Sequence, residues 1–219
     1  MKTITFAISL LLVSVVAVSE KQDHATVKAS NTINHHEQSG RRAQNGPNAG
    51  KRMATWRKAH NDMRRKYHVE FGGTFKSVKW NMELKNHAEK WAKEIVKTCV
   101  NRTPKSGQNP NDYGVNSAVK TGTRGFQNPI TVMKTWEKKL PLGYPKNSVM
   151  TQVLWRNTGY VGCADASSAV GAEKTCTAAV CVYAKAGNCA MKRFGFNWTQ
   201  AVIEGPACSA TCPPNLEVC

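Results

Sequence analysis

Apolar side chains recur at three- and four-residue steps in three stretches of this 219-residue chain, and each stretch predicts an amphipathic helix. Trp56, His60, Met63 and Tyr67 mark one face of the first, which ends at Gly72-Gly73. The second covers about Asn81 to Thr98, with Leu84, Ala88, Trp91, Ile95 and Val96 inward. Lys90, Lys93 and Lys97 run along another of its faces, and Glu89 precedes Lys93 in the favourable order for a helix ion pair. Asn128-Pro129 reads as a cap and first-turn proline for a third helix carrying Ile130, Met133, Trp136 and Leu140. The period then shortens. Val149 to Trp155 and Tyr160 to Cys163 are expected as two strands joined across Arg156-Asn157-Thr158-Gly159, with Thr177 to Tyr183 as a third. Helices in mixed order around a small antiparallel sheet make an α+β domain.

The ends of the chain read differently. Residues 1–19 join one early lysine, an apolar run from Ile4 to Val18, and the small residues Ala17-Val18-Ser19 ahead of Glu20-Lys21. That is the layout of a secretory signal peptide, and no segment supplies the roughly 18 uninterrupted apolar residues of a transmembrane helix. The mature chain is therefore expected to be extracellular. Residues 20–52 are polar, too poor in apolar surface to fold alone, and are expected as a disordered basic leader. Arg41-Arg42 and Gly50-Lys51-Arg52 offer basic sites within it for trypsin-like processing. Residues 53–188 form the predicted domain, and 189–219 a cysteine-bearing extension.

Cys99, Cys163, Cys176, Cys181, Cys189, Cys208, Cys212 and Cys219 make an even count of eight, as four disulfides in an oxidising compartment require. Their separations do not form the paired C-x-x-C knuckles of a zinc site. Asn101-Arg102-Thr103 and Asn197-Trp198-Thr199 are N-glycosylation sequons at Asn101 and Asn197. Lys and Arg number 31 against 14 Asp and Glu, a net charge of +17, and the excess stays with the folded part. A surface this basic attracts anions at long range. For an extracellular chain, glycosaminoglycans or anionic lipid suit it better than nucleic acid, and a merely soluble basic surface is the plain alternative.

Several segments, in order, carry a resemblance. Ser148-Val149-Met150-Thr151-Gln152-Val153-Leu154-Trp155, followed by Gly162-Cys163, resembles the G-H-x-T-Q-V-x-W and G-C signature of the CAP superfamily, the secreted cysteine-rich, antigen-five and pathogenesis-related class one proteins. His60-Asn61-x-x-Arg64 is similar to its H-N-x-x-R, and Trp80-Asn81-x-Glu83-Leu84 with Ala88 and Trp91-Ala92 to its W-[DN]-x-E-L-x-x-x-A-x-x-W-A. Tyr113-Gly114-Val115-Asn116 stands where G-E-N is usual, and Cys181 to Asn188 resembles the closing C-x-Y-x-x-x-G-N. The cysteine-bearing tail is similar to those of helminth venom-allergen-like members.

The resemblance implies a three-layer α-β-α sandwich. It also implies pairing of Cys99 with Cys163 and of Cys176 with Cys181, leaving Cys189, Cys208, Cys212 and Cys219 for two tail bridges of open connectivity. The family's cleft holds two histidines and two glutamates that can bind a divalent cation. Here those positions are Arg102, Val115, Lys139 and Val149, none of which ligates metal through its side chain at neutral pH. A one-residue slip leaves Glu137 as the nearest carboxylate, but no slip supplies a histidine: His24, His35, His36, His60, His68 and His87 all precede Arg102.

The expected cofactor is therefore none. His60 and His87 read as packed helix residues, and Thr151 and Gln152 as structural, because no base and orienting partner accompany them. The resemblance implies a secreted, non-enzymatic effector binding a sterol, a fatty acid or a host or immune partner. The four cleft positions, apolar at Val115 and Val149 and cationic at Arg102 and Lys139, suit an amphipathic anion. A glycosaminoglycan-binding surface centred on Lys90, Lys93 and Lys97 is the second expectation, and a hydrolase the third. Oligomeric state is not legible.

Overall fold

The computed structural model describes residues 49–102, 112–123, 125–126, 128–189, 191–208 and 212. The expected signal peptide, most of the leader with Arg41-Arg42, and Cys219 lie outside these. The helices are α1 (Ala49–Glu70), α2 (Met82–Thr98), α3 (Pro129–Glu137), α4 (Ser148–Leu154) and α5 (Trp198–Glu204); the strands are β1 (Lys79–Trp80), β2 (Gly114–Gly122), β3 (Tyr160–Val170) and β4 (Lys174–Ala184). None of these helices is long and apolar enough to cross a membrane. Asn81 caps α2, its Oδ1 accepting the Leu84 N–H at 3.0 Å, and the predicted cap Asn128 accepts the Thr131 N–H at 3.0 Å through Oδ1 with Pro129 following. Each satisfies an otherwise unpaired donor at a helix start. Cys99 closes α2 in the left-handed conformation, φ 53°.

The strands form one mixed sheet in the order β1-β3-β4-β2, with β1 parallel to β3 and the other pairs antiparallel. Side chains alternate across β4: Ala179, Cys181 and Tyr183 enter one apolar cluster with Trp56, Val132, Trp136, Leu154 and Trp155. Ala178, Val180, Val182 and Ala184 enter a second with Leu84, Ala88, Ala92 and Ile95 of α2. A strand buried on both faces lies between two helical layers, which makes the α-β-α sandwich.

Three expectations are corrected. Val149 to Trp155 is not a strand; it is mostly α4, ending in Trp155 as its C-cap. Met150 to Leu154 are all buried, and a short run buried on every side carries neither a two- nor a 3.6-residue period. The disulfides are Cys99–Cys176 and Cys163–Cys181, not the pairs implied by resemblance. Cys163 faces Cys181 directly in the β3–β4 register, Cα atoms 4.1 Å apart. Cys176 lies five residues from Cys181 on β4 and so points to the opposite face, where Cys99 ends α2. Two cysteines so separated on one extended strand cannot reach one another. In the tail, Cys189 pairs with Cys208, and Cys212 is disulfide-bonded as well. The third correction concerns Gly50-Lys51-Arg52, expected in the leader: it forms the first turn of α1, and Arg52 meets Asp165 at 2.6 Å.

Candidate functional site

The signature residues Thr151 and Gln152 sit on α4 and fasten it to the chain after β4. Thr151 Oγ1 donates to Asn188 Oδ1 at 2.6 Å, and Asn188 Nδ2 donates to the Ser148 carbonyl at 2.8 Å. Gln152 Oε1 accepts the Gly187 N–H at 2.8 Å while its Nε2 donates to Thr158 Oγ1 at 3.3 Å. Trp155 donates from Nε1 to the Pro206 carbonyl at 2.8 Å, and a Cβ on Gly187 or Gly205 would come within 2.5 Å of its ring. All three side chains are committed to holding the layer together.

The two histidines of α1 that are most deeply set are equally committed. His60 Nδ1 donates to the Trp56 carbonyl at 2.8 Å, and Nε2 accepts from the Tyr183 hydroxyl at 3.0 Å. Tyr183 in turn accepts from Asn116 Nδ2 at 3.2 Å, an amide that also donates to the Val149 carbonyl at 2.6 Å. The chain of bonds runs in one direction, so it defines a neutral imidazole protonated on Nδ1. Burial pushes the His60 pKa down to about 4, with the Trp56 bond opposing and Arg64 assisting. His68 bonds the Leu154 carbonyl at 2.8 Å and is likewise lowered to about 4, chiefly by burial. Burial pushes the Tyr183 phenol up, so it remains a donor.

A pH prediction follows from these shifts. Both histidines hold fewer protons folded than unfolded, so their contribution to stability is complete above about pH 6.5 and is lost as pH falls toward 4. For His60 the loss is roughly 3 kcal/mol across that window. Urea midpoints measured between pH 7.5 and 4.5 are expected to fall steadily, and His60→Gln is expected to flatten part of the slope. A flat wild-type profile would contradict the neutral assignment.

The substituted tetrad positions are not brought together. Val115 packs in the second cluster beside α2, whereas Val149 packs in the first, across the sheet. Arg102 is exposed and contributes its carbonyl to Trp91 Nε1 at 3.3 Å. Glu137 accepts from the Tyr67 hydroxyl at 2.7 Å and Lys66 Nζ at 2.9 Å, lowering its pKa against the opposing pull of burial, and faces a separate depression bounded by Leu140 and Pro141. His87 is exposed, its ring edge on Tyr113. Among the described residues one cluster, His60 with Cys163 and Cys181, has the donor types and spacing for a metal ion. Its two sulfurs are bonded to each other, so it offers no thiolate and does not fit one.

Lys139 does line a cavity, of about 390 Å³, at the edge of the sheet where β2 meets α3. Ala118, Val119, Phe126 and Trp136 supply its apolar wall; Asn101, Ser117, Thr131 and Thr135 supply hydroxyl and amide groups. Lys120 and Lys139 are its charged residues, and no carboxylate lines it among the described residues. Ser117 Oγ donates to Asn101 Oδ1 at 2.7 Å, which places the first sequon on the cavity wall. The Trp136 indole Nε1 is buried without an acceptor among the described residues, an unsatisfied donor beside it. Sequence inspection missed Lys120, Phe126, Thr131 and Thr135 because β2 and the segment after it meet α3 only through tertiary packing.

The expected lysine stripe on α2 is largely neutralised. Lys93 meets Glu89 at 2.6 Å, the pair legible in the sequence, and Glu89 also holds Lys85 at 2.5 Å. Lys97 meets Glu94 at 2.6 Å, which leaves Lys90 as the stripe's member without an ion pair among the described residues.

The order of helices and strands in this sandwich has its counterpart in a known family. Residues 57–183 match the family model described as CAP, cysteine-rich secretory protein family. That is more than half of the chain, and the protein belongs to this family. Among solved structures it is similar to BmVAL-1, with 23% identity over 69% of this chain and 82% of that one, TM-score 0.49. It is also similar to MpPR-1i, with 15% identity over 65% and 92%, TM-score 0.47. A third is Schistosoma mansoni venom allergen-like protein 4, with 17% identity over 62% and 89%, TM-score 0.44. No curated protein sequence matches the chain.

Proposed function

We propose that this protein is a secreted, non-enzymatic CAP-domain binding protein whose cavity between β2 and α3 takes an amphipathic anion, with a fatty acid as the simplest candidate. The observation that carries this is the cavity lining: an apolar wall of Ala118, Val119, Phe126 and Trp136, with Lys120 and Lys139 as its charged groups. Its volume of about 390 Å³ falls in the range of small-molecule sites. A carboxylate placed against Lys139 leaves an alkyl chain on the wall, and burial of that chain supplies the main driving force. The disulfides and the apolar amino-terminal run support secretion. His60 and His68, held neutral by burial and engaged in structural bonds, favour binding over general-base chemistry. The paired state of Lys93 and Lys97 favours the cavity over a glycosaminoglycan site on α2.

Purified protein incubated with a lipid mixture is expected to retain a fatty acid detectable by mass spectrometry. Lys139→Glu is expected to weaken that binding about tenfold, the cost of losing one charge-assisted hydrogen bond. Retention of no lipid by the wild type would overturn the proposal. Unchanged affinity in Lys139→Glu would move the ligand elsewhere.

A further inference from the structure

Phe196 is 54% exposed, and its φ of 62° lies in the left-handed region that a bulky side chain rarely adopts. Its ring stacks on that of Tyr144, centroids 6.5 Å apart, so two aromatic rings form a ledge at the surface. Strain of this kind persists where the surroundings over-determine it and clusters where a chain meets a ligand. The following residue opens the second sequon, Asn197-Trp198-Thr199. Asn197 is exposed and caps α5: its Oδ1 accepts from the Thr199 hydroxyl at 2.7 Å and the Gln200 N–H at 3.3 Å. The cap uses the oxygen alone, and Nδ2 has no partner among the described residues.

We propose that Asn197 carries an N-linked glycan whose first sugars lie against the Phe196–Tyr144 ledge. In the attachment step, C1 of an oligosaccharide linked through pyrophosphate to a lipid carrier bonds to Nδ2. The C1–O bond to pyrophosphate breaks, and the lipid pyrophosphate and one amide proton leave. A pyranose ring presents a face of C–H groups that packs on an aromatic ring, as other apolar surfaces do. A glycan tethered one residue from Phe196 meets the ledge at an effective concentration on the order of millimolar, so even a weak contact is populated. The sugar covers apolar surface that a soluble protein otherwise leaves to water. The proposal stands on the sequon, the uncommitted amide nitrogen and the exposed Phe196 ring on the half-buried Tyr144 ring, and is independent of the cavity between β2 and α3.

The test uses the full chain expressed through a eukaryotic secretory pathway. Glycopeptide mass spectrometry is expected to find hexosamine on Asn197. Asn197→Asp keeps a capping oxygen while removing the acceptor nitrogen, so it supplies a folded, unglycosylated background. In that background Phe196→Gly is expected to raise Tm by about 2 °C, because glycine removes the left-handed strain. In the glycosylated protein the same substitution is expected to lower Tm by a similar amount, because the ledge is lost. An unmodified Asn197 would overturn the site. Equal Tm shifts in both backgrounds would overturn the ledge while leaving the site. Binding of the unmodified protein to anionic vesicles, abolished by Phe196→Ser, would assign the ring pair to a membrane surface and overturn the ledge while leaving the site.

Discussion

Gly162→Ala is expected to be the most damaging single-methyl change in the chain. A Cβ at this position of β3 would lie 2.1 Å from the Lys85 nitrogen, 2.5 Å from the Leu84 carbonyl carbon and 2.7 Å from the Asn81 oxygen. All three are backbone atoms at the start of α2, so no side-chain rotation relieves the clash. The helix must move off the sheet, and with it Leu84 and Ala88, both fully buried in the second cluster. Inserting a methyl into a packed core costs about 1–3 kcal/mol when side chains can adjust. Here the obstacle is main chain, so a loss of about 3 kcal/mol or more is expected, lowering Tm by roughly 10 °C. Urea denaturation of the purified variant measures it. A loss below about 1 kcal/mol would mean that α2 slides on β3, contrary to the packing described. The glycine of the G-C pair thus has its reason in the close approach of α2, and its cysteine in the bridge to Cys181.

Arg64→Met is expected to cost about as much by a different route. Arg64 is fully buried with no carboxylate against it among the described residues, and its guanidinium donates to three main-chain carbonyls. Nε reaches Lys76 at 2.9 Å, Nη1 reaches Thr158 at 3.2 Å, and Nη2 reaches Arg156 at 3.1 Å. One side chain thereby ties α1 to the segment before β1 and to the turn between α4 and β3. Burial lowers its pKa, yet the group stays charged at neutral pH because those carbonyls take the place of water. Methionine fills much of the volume but leaves three acceptors without a donor, each worth roughly 1–3 kcal/mol. Relief from burying the charge offsets part of this, so a net loss of about 3 kcal/mol is expected. Arg64→Lys should lose less, since an ammonium keeps the charge but cannot span all three carbonyls in a planar fork. Equal stability of the methionine variant and wild type would show that water replaces the guanidinium.

Much of the sandwich was legible before folding was considered. The Leu84, Ala88, Ile95, Val96 periodicity located α2, and Asn128-Pro129 marked the start of α3, because caps and apolar stripes are local requirements of a helix. The tail helix α5 was missed, since its seven residues are too few to show a period. β2 was not read as a strand; Tyr113 to Asn116 stood out only as a motif, and the residues to Gly122 run along the sheet edge with mixed polarity. The α4 segment misled for the opposite reason, being apolar enough for a strand yet buried on every side. For the candidate site, the sequence singled out Lys139 with Arg102 as a cationic rim, and Lys139 lines the cavity between β2 and α3. It grouped Lys139 with Val115 and Val149, which pack in different layers.

The sequence by itself determined the helical stretches that became α1, α2 and α3, that no histidine follows His87, and that the chain is strongly basic. These properties belong to single residues or to neighbours within a few turns. Only the tertiary structure decided which cysteines pair, because the strand alternation that sends Cys181 to one face and Cys176 to the other depends on register with β3 and β2. It also decided what Lys139 faces and what neutralises Lys93 and Lys97. Burial and distance between remote segments, rather than residue type, make those choices.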